Sequence, residues 1–252
     1  SLMAEVWEGQ GHQRLDGVFL VDPAALSGLL RATGPIEVQG LDQPLSAANV
    51  QQFLYLDQYK SDTPERSDLL EEVATATLDA VLSGDLPAPQ ELAKYLGPAA
   101  TGGHLVGWAR DPGEEEMLRL VGMSGGFPSP NGGDGFAVVN NNATANKIDS
   151  FLQRSVRYEA HVRDGRVTST ITIRLNNTAP ATGYPDYVIG SEFLELPPGT
   201  NRTLLTLYSP LSRTKAQLDG KTVGLATSTD GEWNVYTIRL DLAPGQTRTV
   251  QI

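Results

Sequence analysis

The stretch VRYEAHVRDGRVTSTITIRL, residues 156–175, alternates apolar and polar side chains on both sides of Asp164-Gly165. Alternation with a period of two is typical of β-strands, and an Asp-Gly pair favours the tight turn of a hairpin. Further alternating segments occupy residues 203–208, 216–223 (around Asp219-Gly220), 234–242 and 247–252. Short strands at this density predict an antiparallel, immunoglobulin-like β-sandwich for residues 136–252, with a first strand at 136–139 and a helix from Lys147 to Leu152.

Residues 1–135 show helical spacing between short strands. Asp22 before Pro23 is typical of a helix start, and Leu26, Leu29 and Leu30 then share one face. Further helices are predicted after Ser46, Thr63, Pro89 and Asp111, the one from Pro89 ending near residues 96–98. A buried strand is predicted at residues 18–21, a short strand at 36–38 and a further strand at 104–108.

The charge distribution separates the same two regions. The 252-residue chain has a formal charge of −11, but residues 1–135 hold 20 acidic and 7 basic side chains, and residues 136–252 hold 10 and 12. The change falls in the Gly/Pro-rich stretch 125–135. We predict an α+β two-domain protein, with an acidic, helix-rich α/β domain at 1–135 and a β-sandwich domain at 136–252.

Composition excludes several classes of function. The chain has no cysteine, which rules out disulfides, zinc–thiolate sites and thiol nucleophiles. Its acidity argues against nucleic acid as a partner. No run of 18 apolar residues is present. Ser1-Leu2-Met3 resembles a cloning remnant, so we expect the chain to be a segment of a longer protein.

No motif in the sequence predicts a catalytic residue, a metal site or a cofactor. Gly122-Met123-Ser124-Gly125-Gly126 matches the G-x-S-x-G pattern of serine hydrolases, but that serine needs a strand-to-helix turn. Here the pattern follows a predicted helix, which favours a helix stop.

The Asn-rich stretch at residues 140–147 is the binding candidate. One interpretation is a polar ligand cup formed by Asn140, Asn141 and Asn142, with Lys147 as a positive charge. The other, which we favour, is a turn held by asparagine side chains. Exposed aromatic side chains at Tyr184, Tyr187 or Trp233 would support a binding surface on this domain.

Short motifs spread along most of the chain resemble a family known as domain of unknown function 4012, found mainly in actinobacterial envelope proteins. The motifs are Asp16-Gly17-Val18, Val21-Asp22-Pro23, Leu29-Leu30, Thr33-Gly34-Pro35, Asn49-Val50, Tyr59, Asn140-Asn141, Lys147-Ile148-Asp149, Asn177-Thr178-Ala179-Pro180, Pro185-Asp186-Tyr187-Val188, Gly199-Thr200-Asn201-Arg202 and Asp219-Gly220. The resemblance implies an extracytoplasmic protein, anchored in the membrane through a segment upstream of residue 1.

Residues 16–38 also resemble the LytR-CpsA-Psr family, which transfers glycopolymers from polyprenyl-pyrophosphate carriers. This resemblance implies an incomplete α/β layer of that type. It also implies an alternative function, a divergent transferase or pyrophosphatase. Lys60 and Arg66 would then contact phosphate, with Asp57 or Asp62 near Mg²⁺. The leading expectation is a non-enzymatic envelope module that binds an envelope protein or a glycan.

Overall fold

The computed structural model describes residues 1–60, 66–84, 86–126, 135–191 and 194–252, with the backbone alone at Arg66 and Ser67. The chain divides into two compact units, Ser1–Phe127 and Pro128–Ile252. The predicted boundary near residue 135 adjoins residues 127–134, which lie outside the described part. The described residues form a mixed α+β structure with antiparallel sheets, as predicted.

The second helix of the chain, α2 (Pro23–Thr33), is the centre of the first unit, and Asp22 determines where it begins. The Asp22 carboxylate accepts hydrogen bonds from the backbone N–H groups of Ala24 and Ala25, at 2.8 and 3.0 Å. These bonds satisfy donors that have no partner within the helix. The helix ends at Gly34, whose φ of 90° suits glycine.

Several other helices of this unit pack directly against α2. The helices are α1 (Leu2–Gly9), α2 (Pro23–Thr33), α3 (Val50–Tyr55), α4 (Arg66–Ser83), α5 (Pro89–Thr101) and α6 (Pro112–Leu120), with a 3-10 turn at Asp57–Tyr59. The core contains Leu26, Leu30, Ile36, Val38, Leu45, Val50 and Val73. Gly28 allows α2 to approach α5, because a β-carbon there would lie 2.8 Å from the Tyr95 carbonyl oxygen.

Strands β1 (Gly17–Val21) and β2 (Leu105–Ala109) form a two-stranded antiparallel sheet, in which Gly17 pairs with Ala109 and Val21 with Leu105. The expectation that residues 18–21 are buried is wrong: Phe19, Leu20 and Val21 are 60%, 49% and 43% exposed. The pattern predicted the strand correctly, but burial needs a covering layer, and the described residues leave these three side chains largely open to solvent.

Three further elements of the first unit differ from the prediction. Helix α5 continues past the predicted end to Thr101, with Pro98 inside it. Residues 36–38 form a single bridge, from Ile36 to Leu45, and no strand. Helix α1 was not predicted.

The second unit consists of two antiparallel sheets with one core between them. The first sheet has the order β3 (Ala137–Asn142), β6 (Asn201–Ser209), β10 (Trp233–Leu242) and β9 (Ala226–Asp230). The second has the order β4 (Leu152–Arg163), β5 (Arg166–Asn177), β11 (Thr247–Gln251), β7 (Gln217–Leu218) and β8 (Lys221–Thr222). Leucine, isoleucine, valine and tyrosine side chains from β5, β6, β10 and β11 meet in the core.

Turns and short helices of this unit agree in part with the sequence. Asp164-Gly165 and Asp219-Gly220 all have positive φ and join the two predicted hairpins. The predicted helix from Lys147 is a 3-10 turn, Ile148–Phe151. Strand β9 and the single-turn helix α7 (Asp186–Ile189) were not predicted.

Asn177, at the end of β5, is fully buried and connects the sheets. Its amide donates to the carbonyl oxygens of Gly199 and Leu242, both at 2.8 Å, and its side-chain oxygen accepts from the Ala179 N–H at 3.0 Å. Since Leu242 ends β10, one side chain ties the second sheet to the first.

We expect the substitution Asn177→Ala to destabilise the second unit by about 3 kcal/mol, because it leaves buried backbone groups without partners. Its melting temperature should fall by roughly 6–12 °C, measured by circular dichroism. The neighbour Asn176 bonds Gln153 and Thr247 on the sheet surface. Asn176→Ala should cost less than about 1 kcal/mol, and equal effects of the two substitutions would contradict the role given to Asn177.

Candidate functional site

The Asn-rich segment after β3 is a turn held by its own side chains. The Asn142 amide donates to the carbonyl and side-chain oxygens of Asn146, both at 2.9 Å. The Thr144 hydroxyl lies 2.5 and 2.7 Å from the side-chain oxygens of Asn142 and Asn146. Ala145 adopts a φ of 51° between them. These bonds give the turn one defined conformation.

Asn146 and Lys147 connect this turn to helix α7. The Asn146 amide donates to the Gly190 carbonyl oxygen, and the Lys147 N–H donates to that of Tyr187 at 3.2 Å. The Lys147 ammonium lies 5.7 Å from the centre of the Tyr187 ring, within range of a cation–π interaction. Tyr187 is 46% exposed, while its neighbours Val188 and Ile189 are buried. An exposed aromatic ring is therefore held next to a cation on a fixed backbone.

The four predicted binding residues do not meet at one point. Asn142 and Lys147 belong to the turn beside Tyr187. Asn140 instead accepts from the Arg154 guanidinium at 2.9 Å and lies 3.4 Å from the Thr203 hydroxyl. Asn141, between them in β3, has an exposed side chain. Tyr184 packs edge-on against Phe151 at 5.4 Å, which leaves Tyr187 as the more exposed of these two tyrosines.

A half-buried carboxylate follows this turn, in the 3-10 turn Ile148–Phe151. Asp149 accepts from the Asn201 amide at 2.7 Å, and Asn201 itself is fully buried. The Asn201 side-chain oxygen has no hydrogen-bond partner among the described residues. Burial raises the pKa of Asp149, although the hydrogen bond from Asn201 opposes the change. Sequence reasoning did not single out Asp149, Asn201 or Asn146 as site residues, because nothing local shows that a polar side chain will be buried.

The residues of the alternative transferase site lie in the first unit. The Lys60 ammonium lies 2.7 Å from the Asp57 carboxylate, which also accepts from the Gln52 amide at 3.2 Å. Burial raises the pKa of Asp57, but the hydrogen bonds from Lys60 and Gln52 outweigh it and lower the pKa below its ordinary value. Asp62 and the Arg66 side chain lie outside the described residues.

The G-x-S-x-G segment follows helix α6. Gly122 has a φ of 74°, and the Met123 carbonyl accepts from the Gly107 N–H of β2 at 2.7 Å. Across the described ranges, no three His, Cys, Asp or Glu side chains are grouped to hold a metal ion. Likewise, no described helix combines the length and apolar character needed to cross a membrane.

Residues 1–59 match the model of a family described as "Protein of unknown function (DUF4012)". This match confirms, over those residues, the resemblance to family 4012 that the motifs from Asp16 onward indicated. The region similar to DUF4012 includes α2, the exposed strand β1 and Asp57. No curated protein and no solved structure matched the chain.

The raised pKa of Asp149 predicts how stability depends on pH. Folding disfavours the charged carboxylate, so its contribution is most favourable below the ordinary carboxyl pKa and is lost as pH rises through the raised value. Asp149→Asn keeps an oxygen that can accept from Asn201 and carries no charge. We expect the variant to gain stability relative to the parent protein between about pH 3 and pH 7, measured by urea unfolding.

Asp164→Asn is the matched control, because the Asp164 carboxylate is almost fully exposed at the hairpin turn and asparagine tolerates its positive φ. This control should show no comparable gain. A stability difference between Asp149→Asn and the parent that stays constant over this pH range would contradict the assignment.

Proposed function

We propose that this protein is a non-enzymatic, extracytoplasmic module of the cell envelope that binds a glycan through Tyr187 and Lys147. The observation that carries the proposal is the half-exposed Tyr187 ring, held with the Lys147 ammonium 5.7 Å from its centre. The apolar C–H face of a sugar packs against an aromatic ring, and an ammonium donates to sugar hydroxyls or carboxylates.

The support for these two residues is rigid, which favours binding over chemistry. Asn142, Thr144 and Asn146 satisfy one another, and Val188 and Ile189 anchor the other side of Tyr187 in the core. A site whose side chains are fixed before the ligand arrives loses less conformational entropy on binding.

The proposal also includes the architecture of each unit. Two sheets with a shared core support an immunoglobulin-like sandwich, in which connecting segments such as 143–151 and 185–190 present the binding residues. The exposed strand β1 supports an incomplete layer of the LytR-CpsA-Psr type. The alternative transferase stays a prediction, since Lys60 already lies against Asp57.

The test is isothermal titration with soluble cell-wall glycan fragments that contain N-acetylhexosamine. We expect Tyr187→Ala to weaken binding by roughly tenfold or more, because the stacking surface is lost. Tyr187→Phe keeps the ring and should bind nearly as the parent does. Lys147→Ala should weaken binding by several fold, roughly the loss of one or two hydrogen bonds.

Thermal melts of each variant control for folding, since Tyr187 is half exposed and its loss should leave the core intact. Equal affinity of Tyr187→Ala and the parent protein would refute the assignment of this surface. Failure of the parent protein to bind any fragment would refute glycan binding itself.

A further inference from the structure

The backbone of β1 has an open edge, and the ladder with β2 shows which groups face it. The Asp22 N–H donates to the His104 carbonyl at 3.2 Å, and the Arg110 N–H donates to the Asp16 carbonyl at 2.7 Å. Bonded pairs alternate in an antiparallel ladder, so the even-numbered residues of β1 bond β2. The N–H and C=O groups of Phe19 and Val21 therefore point away from β2.

At the opposite edge of this sheet, the odd-numbered residues of β2 also point outward, and one of them has a bonding partner. Gly107 of β2 is odd-numbered, and its N–H donates outward to the Met123 carbonyl at 2.7 Å. No strand within the described ranges pairs with the other edge of β1. Among the described residues, the edge of β2 is therefore bonded at Gly107, while the outer edge of β1 presents donors and acceptors, two residues apart, that bond no other backbone group.

The side chains at this edge are apolar and partly open to solvent. Leu20 is half exposed and lies with Val18, Val106 and Trp108 along one face of the sheet, in an open groove that Gly125 also lines. Sheet proteins protect edges with lysine, proline, bulges or a covering element. Gly17–Val21 contains no lysine, no proline and no charged residue.

We propose that the open edge of β1 binds an extended strand of a partner polypeptide, with apolar side chains at alternate positions and basic residues at its ends. Backbone groups spaced at every second residue are satisfied by another strand, and alternate apolar side chains of that strand would cover the groove of Leu20 and Trp108. The basic ends follow from charge, because residues 1–135 hold 20 acidic and 7 basic side chains and Asp16 is exposed at the start of β1. This surface belongs to the first unit, whereas the proposed glycan site belongs to the second.

The probe is the synthetic peptide Lys-Lys-Val-Thr-Val-Thr-Val-Lys-Lys, and the readout is amide hydrogen exchange of the whole chain followed by NMR. With saturating peptide, exchange at Phe19 and Val21 should slow at least about tenfold, since their N–H groups gain partners. Exchange at Val18 and Leu20, already bonded to β2, should change little. A peptide N-methylated at its three valines lacks the donors along one edge and should lose most of this protection.

Val21→Pro is the variant that tests the edge from the protein side. It removes one outward N–H and leaves the β1–β2 bonds intact, and proline is accepted at the open edge of a strand. We expect the peptide to bind roughly 3- to 10-fold more weakly, as the loss of one hydrogen bond predicts. Val21→Thr keeps the N–H and the β-branched shape, and should bind within about twofold of the parent protein.

Three results would overturn the proposal. The first is no binding up to about 1 mM peptide. The second is binding that leaves exchange at Phe19 and Val21 unchanged, which would indicate side-chain contact alone. The third is protection of these amides in the free protein that disappears on dilution, which would show that the edge pairs with a second copy of this chain.

Discussion

The second unit depends on a buried amide that must find partners for all its polar atoms. Asn177 uses its side chain to bond Gly199, Leu242 and Ala179, and its backbone exchanges bonds with Gln246 and Gly245. A buried polar group without partners costs more than a bonded one gains, so few other arrangements of these segments satisfy it. Apolar residues of β5, β6, β10 and β11 supply the driving force for the core, and Asn177 restricts how the ends of the two sheets meet.

Local chemistry predicted much of the secondary structure. The carboxylate of Asp22, the positive φ of Gly34 and the Asp-Gly turns act within a few residues, so their effect can be read from the sequence. Tertiary context decided the rest. The apolar run at residues 18–21 does not reveal whether a second layer covers it. Proline usually ends a helix, but helix α5 continues through Pro98 to Thr101. Strand β9 (Ala226–Asp230) is exposed throughout and lacks the apolar alternation that predicts a strand.

The candidate site could be predicted only in part for a related reason. The unusual Asn-rich composition marked the segment beside which the candidate site lies, and Tyr187 was recognised as a possible exposed aromatic. The different roles of the asparagines could not be predicted. Consecutive residues of β3 point to opposite faces, which separates Asn141 from Asn140 and Asn142. Gly190, which bonds the turn through Asn146, and Asn201, which bonds Asp149, are distant in the sequence. Most of the asparagines therefore position the site, and Tyr187 supplies the exposed ring with the Lys147 ammonium beside it.

The two units differ in how their polar groups find hydrogen-bond partners. In the second unit, Asn142, Asn146 and Asn177 satisfy groups that would otherwise lack partners in turns and strand ends. In the first unit, the backbone groups of Phe19 and Val21 lie at an edge that no described segment covers. The apolar side chains beside them are exposed to water. Solvent satisfies those backbone groups, but the apolar area beside them still favours a partner that excludes water. An extended strand meets both demands at once, because its backbone bonds the edge while its alternate side chains cover the groove. The same physical requirement that closes the second unit on itself thus leaves the first unit suited to another chain.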